Sequence, residues 1–590
     1  MSDPRTVKKG TRKRPAVFKF SKSNQPKKQD IDASAGGDFI SQENGCNDVE
    51  DCSQFKRISQ NIADAVPQDK LCPIIPFKLR SLKTKTIKCT DTGQNITKVQ
   101  NIEAEYGILK LCKVSELFNN FLKQHMNLSN CNQPNVEFIK KKHNGLCITA
   151  VLKCKNCSIS SDQVDLFDRI DGKNKTGPAA GCLNEALPLA CLKTKMGMKD
   201  IQFFLSTLSI QPPTASLMQK KLNKLCDLMV TVNEQSMVKN QELVKQIIEI
   251  KNEKTVSVET DVSYNNRLQL GYEAGTQAFV PMIENVTNRK LTLSLDHINR
   301  LCQHKKTNCQ SKECHKNYPD GKTMASSETQ MIQNNIQKIN RTGILEVGAV
   351  TSDACSQISK VCKTMTKKPI RHFTCYVHKM RNFQKHIHFM QLTPSTYTNG
   401  LDKSQFTKQL GLSFRKRVQK ELGRLKRRCR KETEFVKCAS LCIRNVIDCF
   451  SNNHTMCQIL STVCEAHKEC YRPSFLPGGK HLTLSKTDHG KISSILAKDF
   501  SHDNLHELFG LTTTNKSESM HNRLMTYITK RVTWSRNFSA MCHSAVHSDT
   551  VGTGQSTIIL AKEAGISYAN SAPMFNYMQH IDSISRYHKD

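Results

Sequence analysis

Two strand-like stretches, each ending in an aspartate, constrain the fold of this chain more than any other feature. The first, TVSVETD, alternates Val256, Val258 and Thr260 with polar residues before reaching Asp261 and the turn-like SYNNR. That pattern predicts a strand delivering Asp261 to a sheet edge. The second, GILEVGAVTSDACSQ, is apolar at Ile344, Leu345, Val347, Ala349 and Val350, as expected of a strand covered on both faces, and runs into Asp353. A third acid, Glu518, lies in TTTNKSESMHNRLMTYI. Here Ser517 or Asn515 is read as a helix cap, which puts Glu518 in the first turn. If the two strands are neighbours their aspartates meet, and the helix can turn Glu518 toward the same sheet.

Any one of these acids alone would be read as a solvated loop residue. Together, in two strands and a helix, they match the way RNase H-like nucleases and transposases assemble a two-metal site. Two Mg²⁺ ions about 3.5–4 Å apart clamp the attacking and leaving oxygens of a phosphodiester displacement. Hard carboxylate oxygens suit that ion. The fold class expected is therefore α/β: an RNase H-like catalytic core with a mixed sheet, interrupted by a large helical insertion and preceded by small α+β and helical modules.

The charge balance points to the same substrate class. Against 52 Asp and Glu stand 87 Lys and Arg, a formal charge of +35, and such an excess suits a polyanionic partner. It is uneven. The first 28 residues carry ten Lys or Arg and one acid, and KKGTRKRP within them reads as a nuclear import signal in a disordered arm. Arg415 to Lys431 carries ten more, opposed only by Glu421. Arg415, Lys416, Arg417, Arg424, Lys426, Arg427 and Arg428 are the candidate phosphate contacts, set against the plainer reading of a solvated helix face.

Residues 1–75 are polar and read as a basic, disordered arm. Residues 76–175 mix strand-like pieces such as ITAVLKC with turns, a small cysteine-containing α+β module. From 176 to 250 the periodicity is helical, broken at Pro212 and Pro213. Residues 251–395 form the first part of the core and 511–570 its last, helical part. The separation of 165 positions from Asp353 to Glu518 implies an inserted domain, placed at 396–510. Residues 571–590 are read as a tail. No apolar run approaches the roughly 20 residues needed to cross a bilayer, and the first residues lack the apolar segment of a secretory signal, so the expectation is an intracellular protein with no membrane partner.

In that setting the 26 cysteines are not expected to form a disulfide framework; those that cluster are candidate metal ligands and many others core residues. Cys154 and Cys157 have the spacing of a zinc knuckle, but near them stand only Cys131 and Cys147 rather than a second pair, so a zinc ribbon here would be degenerate. Cys302, His304, Cys309, Cys314 and His315 form a second group, from which Cys302, Cys309, Cys314 and His315 are taken as zinc ligands. Cys449, His454, Cys457, Cys464, His467 and Cys470 form a third, open between zinc binding and burial in helical cores. Cys375 and His378 are spaced as CxxH after a strand-like stretch, and His378 lies 25 residues past Asp353.

These motifs, in this order, resemble the Mutator-like transposases, whose domain carries an Asp, Asp, Glu triad with CxxH between the second and third acids. The resemblance covers most of residues 100–570. It rests on LNEALPLACLKTKMGMKDIQFFLSTLSIQPP, TDVSYNNR, KECHKNYPDGKTMASSE, TSDACSQ, CYVH, TNKSESMHNRL and TKRVTWSRNFSAMCHSAVHSDTVGTGQS. The family's N-terminal segment often has two CxxC pairs, where this chain keeps one. The resemblance implies a nuclear enzyme with Mg²⁺ or Mn²⁺ held by Asp261, Asp353 and Glu518, and His378 orienting a strand or the scissile phosphate. It also implies structural zinc, double-stranded DNA of element ends and target as partner, and a homo-oligomer that pairs two ends. The rival reading is a domesticated, catalytically silent DNA-binding protein derived from a transposase; a cellular RNase H-like nuclease is a third.

Overall fold

The computed structural model describes residues 106–587 apart from 129, 171–179, 195, 266–274, 305–308, 320, 354, 366–368, 398–400, 465–475, 529–532 and 567–571. The expected arm at 1–75 lies outside the described residues.

Helix α1 (Leu111–Leu128) packs Leu117 and Phe121 onto an antiparallel sheet of β1 (Val136–Asn144), β2 (Cys147–Cys154) and β3 (Val164–Asp165). β2 takes up the ITAVLKC stretch. A short ladder of β4 (Arg169–Ile170) and β5 (Ala180–Gly181) leads to α2 (Cys182–Lys193), α3 (Met198–Thr207) and α4 (Ala215–Ile250). Pro212 and Pro213 fall between α3 and α4, where neither has to supply a helical N–H. Thr214 then caps α4, its hydroxyl accepting the Leu217 N–H at 3.3 Å. At 36 residues α4 is about 54 Å long, enough to serve two cores in turn.

The central sheet is built from β6 (Val256–Thr260), β7 (Ser263–Tyr264), β8 (Gln277–Glu284) and β9 (Thr292–Asn299), then, after α5 (Met324–Arg341), from β10 (Val347–Ser352) and, after α6 (Ser356–Thr364), from β11 (Arg371–Thr374). The strands lie in the order β9, β8, β6, β10, β11, with β7 also on β8. β8 runs antiparallel to β6 and β9, whereas β10 is parallel to both β6 and β11, so the sheet is mixed. β8 is buried along its whole length and alternates between two cores. Phe279 and Ile283 join Leu222, Leu225 and Met229 of α4 on one face; Ala278, Val280 and Met282 join Ile332 and Ile336 of α5 on the other.

Beyond β11 the chain is helical: α7 (Tyr376–His388), α8 (Lys403–Arg428), α9 (Glu432–Arg444), α10 (Val446–Phe450), α11 (Cys457–Leu460), α12 (Lys486–Asp499) and α13 (His502–Leu508). They share a core in which Phe383, Phe414, Phe435, Phe450 and Phe500 are fully buried. Helix α14 (Asn515–Met525) returns to the sheet, followed by α15 (Phe538–Val551), α16 (Thr553–Glu563) and α17 (Pro573–Tyr587). α17 occupies most of the stretch expected to be a tail. Its Asp582 accepts the N–H groups of Gly554 and Gln555 at 2.8 and 2.7 Å, capping α16 from a distance. Among the described residues no helix is long and apolar enough to cross a membrane.

Candidate active site

Register brings the two aspartates together. On the parallel strands β6 and β10, Glu259 stands opposite Thr351, and two residues further on each strand come Asp261 and Asp353. Both therefore emerge at the same edge, one strand spacing of about 4.8 Å apart in the sheet. His378, in the first turn of α7, puts Nδ1 2.6 Å from Asp353 Oδ1 and Nε2 3.4 Å from Glu518 Oε1. His521, one turn after Glu518, lies with Nδ1 3.5 Å from Asp261 Oδ2 and Nε2 3.2 Å from the Asp261 carbonyl. α14 thus reaches both aspartates, one through Glu518 and His378, the other through His521.

The CxxH motif works as a joint. The Cys375 N–H donates to Ser352 O at 2.7 Å at the end of β10, and the Cys375 thiol receives the Thr514 hydroxyl at 3.3 Å. The Tyr376 N–H donates to Thr512 O at 2.9 Å, and the hydroxyls of Thr351 and Thr512 are 3.0 Å apart. The segment that starts the Glu518 helix is thereby fastened to the strand that carries Asp353. The helix start differs from the sequence expectation, since Thr514 occupies the cap position with no side-chain cap bond, in place of Ser517 or Asn515. The orphan N–H of Ser517 is met instead by Glu259 of β6 at 2.8 Å. Lys516 binds Glu284 Oε1 at 3.2 Å and Thr287 O at 2.7 Å. Caps supplied by a strand 258 residues away carry no local sequence signal.

The electrostatics are those of crowded acids. Burial, reinforced by the charge of Asp353, pushes Asp261 up to about 7. Burial likewise raises Glu259 to about 7. Glu328, on the first helix after β9, is raised by burial and then by the charge of Asp353. His378 moves the other way: the Asp353 carboxylate, then the Cys375 thiol at 3.3 Å, hold it up to about 10, so at neutral pH it is an imidazolium between two acids. Glu328 and His521 were not singled out from the sequence, although both lie inside motifs quoted there, Glu328 ending KECHKNYPDGKTMASSE and His521 three residues after Glu518.

Away from this edge the thiols gather into three quartets, each with its ligand atoms within 4.8 Å of one another. Cys154 and Cys157 are joined by Cys131 and by His125 of α1, whose Nε2 is 3.2 Å from Cys157 Sγ. An isolated histidine on a helix gave no hint of this from sequence. Cys147 stands apart, buried, its thiol pushed up to about 11 by that burial. Cys302, Cys309 and Cys314 gather with His304, whose Nδ1 is 3.2 Å from Cys309 Sγ, while Cys302 and Cys314 are 3.7 Å apart. His304 thus takes the place expected of His315, which lies outside the group. The third quartet is Cys449, His454, Cys457 and Cys464; His467 and Cys470 lie outside the described residues.

The basic run forms the second half of α8, and the helix divides it. Lys416, Arg424, Arg427 and Arg428 are exposed. Arg415 donates to Gln384 Oε1 at 2.7 Å, and Lys426 sits 3.4 Å from the ring centre of Phe509. Arg417 corrects the sequence reading: it is 1% exposed and paired with Glu421 at 3.0 Å, out of reach of any phosphate. It falls on the helix face shared by Phe414, Val418 and Leu425, which the count of charges did not reveal.

The family model for Mutator-like transposase matches residues 106–464, well over half of the chain. The match takes in Asp261, Asp353, His378 and the three quartets, and stops before Glu518. No curated protein matches the chain.

Proposed function

The chain belongs to the Mutator-like transposase family, and we propose that it is a DNA transposase that cuts the ends of its element and joins the freed 3′-hydroxyl to target DNA. The observation that carries this is the convergence of Asp261, Asp353 and Glu518, from two parallel strands and a helix, around His378. The strand order β9, β8, β6, β10, β11 supports an RNase H-like core at 251–395 and 511–570, with 396–510 as a helical insertion.

The donor set fits divalent cations. Hard oxygens face one edge, and Asp261 is held protonated up to about 7 partly by Asp353, a repulsion that cations would relieve. Asp261, Asp353 and Glu518 would hold Mg²⁺ or Mn²⁺, which when bound lowers the pKa of attacking water and offsets charge on the phosphate oxygens. In the first step water attacks phosphorus, and the bond to the 3′ oxygen breaks to leave a 3′-hydroxyl. In the second, that hydroxyl attacks a target phosphodiester, whose own 3′ oxygen departs. The first displacement turns a phosphodiester into a 5′-phosphate monoester and a 3′-hydroxyl, and the second exchanges one phosphodiester for another, leaving a 3′-hydroxyl on the target strand. His378 is a positioning residue: its imidazolium keeps Asp353 and Glu518 apart from one another's charge before cations enter. Lys416, Arg424, Arg427 and Arg428 would contact DNA phosphates, and the quartets at His125 and His304 would hold structural zinc. Action in the nucleus on paired ends, as a homo-oligomer, completes the reading.

The test is strand cleavage by the purified protein on duplexes carrying the inverted repeats that flank its gene, with Mg²⁺ or Mn²⁺. The wild type should release a 3′-hydroxyl end and Asp353→Asn should not. Equal cleavage by both would sink the assignment; tight binding of the repeats without cleavage by either would establish the silent, domesticated reading.

A further inference from the structure

The third quartet lies in the helical region, far along the chain from every acid of the site. Cys449 comes from the end of α10, His454 from the loop that follows, Cys457 from the start of α11 and Cys464 from beyond it. Asn452, with φ at 69°, turns the chain so that His454 faces back on Cys449. Tetrahedral zinc with Zn–S of about 2.3 Å and Zn–N of about 2.05 Å sets S–S edges of about 3.8 Å and S–N edges of about 3.5 Å. The edges found are 3.7 Å for Cys449 Sγ to Cys464 Sγ, and 3.6, 3.3 and 3.4 Å from His454 Nδ1 to Cys449, Cys457 and Cys464. A disulfide would need the sulfurs at about 2.05 Å.

What the quartet holds is the turn between α11 and Cys464, and that turn grips the basic helix. Ser461 Oγ accepts the N–H groups of Val463 and Cys464 at 3.0 and 2.8 Å and the Arg417 guanidinium at 2.9 Å, and it donates to Glu421. Thr462 gives its N–H and hydroxyl to Glu421 Oε2 at 3.1 and 2.9 Å, and its carbonyl accepts from Arg424.

We propose that Cys449, His454, Cys457 and Cys464 form a closed structural zinc site that fastens the 461–464 turn onto α8 and so fixes the orientation of its exposed arginines. The four ligands leave no open coordination position, so the ion is structural rather than catalytic. It serves α8 by clamping the partners of Arg417, Glu421 and Arg424.

The experiment uses the full chain. Metal analysis of the wild type, Cys457→Ser and Cys457→His should give one zinc fewer for the serine variant and an unchanged count for the histidine variant, which restores a ligand. Cys438→Ser, a cysteine of the neighbouring α9 outside the quartet, should also keep the full count. Because the serine variant can lose zinc simply by unfolding, a second measurement needs no substitution: alkylation of the native protein followed by peptide mapping. Cys449, Cys457 and Cys464 should be unreactive until a chelator is added and should then become labelled together. Equal zinc in wild type and both Cys449→Ser and Cys457→Ser overturns the proposal. So does labelling of the three thiols that no chelator changes, or a Cys449–Cys464 disulfide found in the unreduced protein.

Discussion

Clustered charge is treated in opposite ways at the sheet edge and in the helical region. At the edge Asp261, Asp353 and Glu518 gather around one imidazolium, and Asp261 and Glu328 are pushed up by burial first and then by the charge of Asp353. In the helical region Arg417 and Glu421 are buried far more deeply than the edge acids but meet each other at 3.0 Å, with Ser461 and Thr462 supplying further bonds. Uncompensated charge is a cost to the fold and marks a place kept for something that binds. Compensated charge marks scaffolding. The thiol quartets stand between the two, with ligand atoms close enough to hold a metal ion.

The largest effect should come from Asp261→Asn. Cleavage should fall by orders of magnitude, because the amide no longer offers an anionic ligand, yet the metal-free fold should gain stability. The sign follows from Asp261 titrating at about 7 in the folded protein against about 3.9 when unfolded. The native state binds the extra proton between those values, so stability is full below about 4 and is lost as pH rises through 7. Thermal melts from pH 4 to 8 should show the variant and wild type converging at low pH and the variant melting higher at pH 8. Added Mg²⁺ should shrink that advantage by stabilising only the wild type. A variant less stable at every pH would mean that Asp261 is scaffolding, and the contrast would fail.

Arg417→Ala tests the other side. Leaving Glu421 buried without its partner should cost about 3–5 kcal/mol, read from denaturant unfolding, and should reduce DNA binding only through lost structure. Next in size is the choice of histidine in the second quartet. His304→Ala should remove one zinc from the full chain and His315→Ala none, measured by metal analysis; the reverse result would restore the sequence reading.

How far each region was legible follows from how its contacts are made. Val256, Val258 and Asp261 showed a strand and its terminal acid because alternation is local, whereas the pairing of β6 with β10 stood only as a condition for the aspartates to meet, and the structure supplies it. The cap of α14 was not legible, since Glu259 reaches Ser517 across the fold. His304 and His315 both lie beside the same cysteines in sequence, and only the loop's path chooses between them. His125 sits in the last turn of the 18-residue α1, and only the packing of that helix beside β2 brings it to Cys154 and Cys157. Arg417 looked like its neighbours Arg415 and Lys416 because charge was counted along the chain, whereas burial goes by helix face.

The smallest expected effect, on Lys416, sharpens that last point. Lys416 and Arg417 are adjacent and alike in charge, but one is exposed and the other interior. Lys416→Gln should change stability by no more than about 0.5 kcal/mol, as for an exposed residue without structural bonds. If it contacts one phosphate, the slope of log affinity against log salt should become shallower by about 0.9, measured on duplex DNA between 50 and 200 mM salt. Because the lost contact is to backbone, the reduction should be the same on element ends and on unrelated duplex. An unchanged slope would leave this face of α8 as merely solvated, and the DNA path would have to be sought on another surface of the protein.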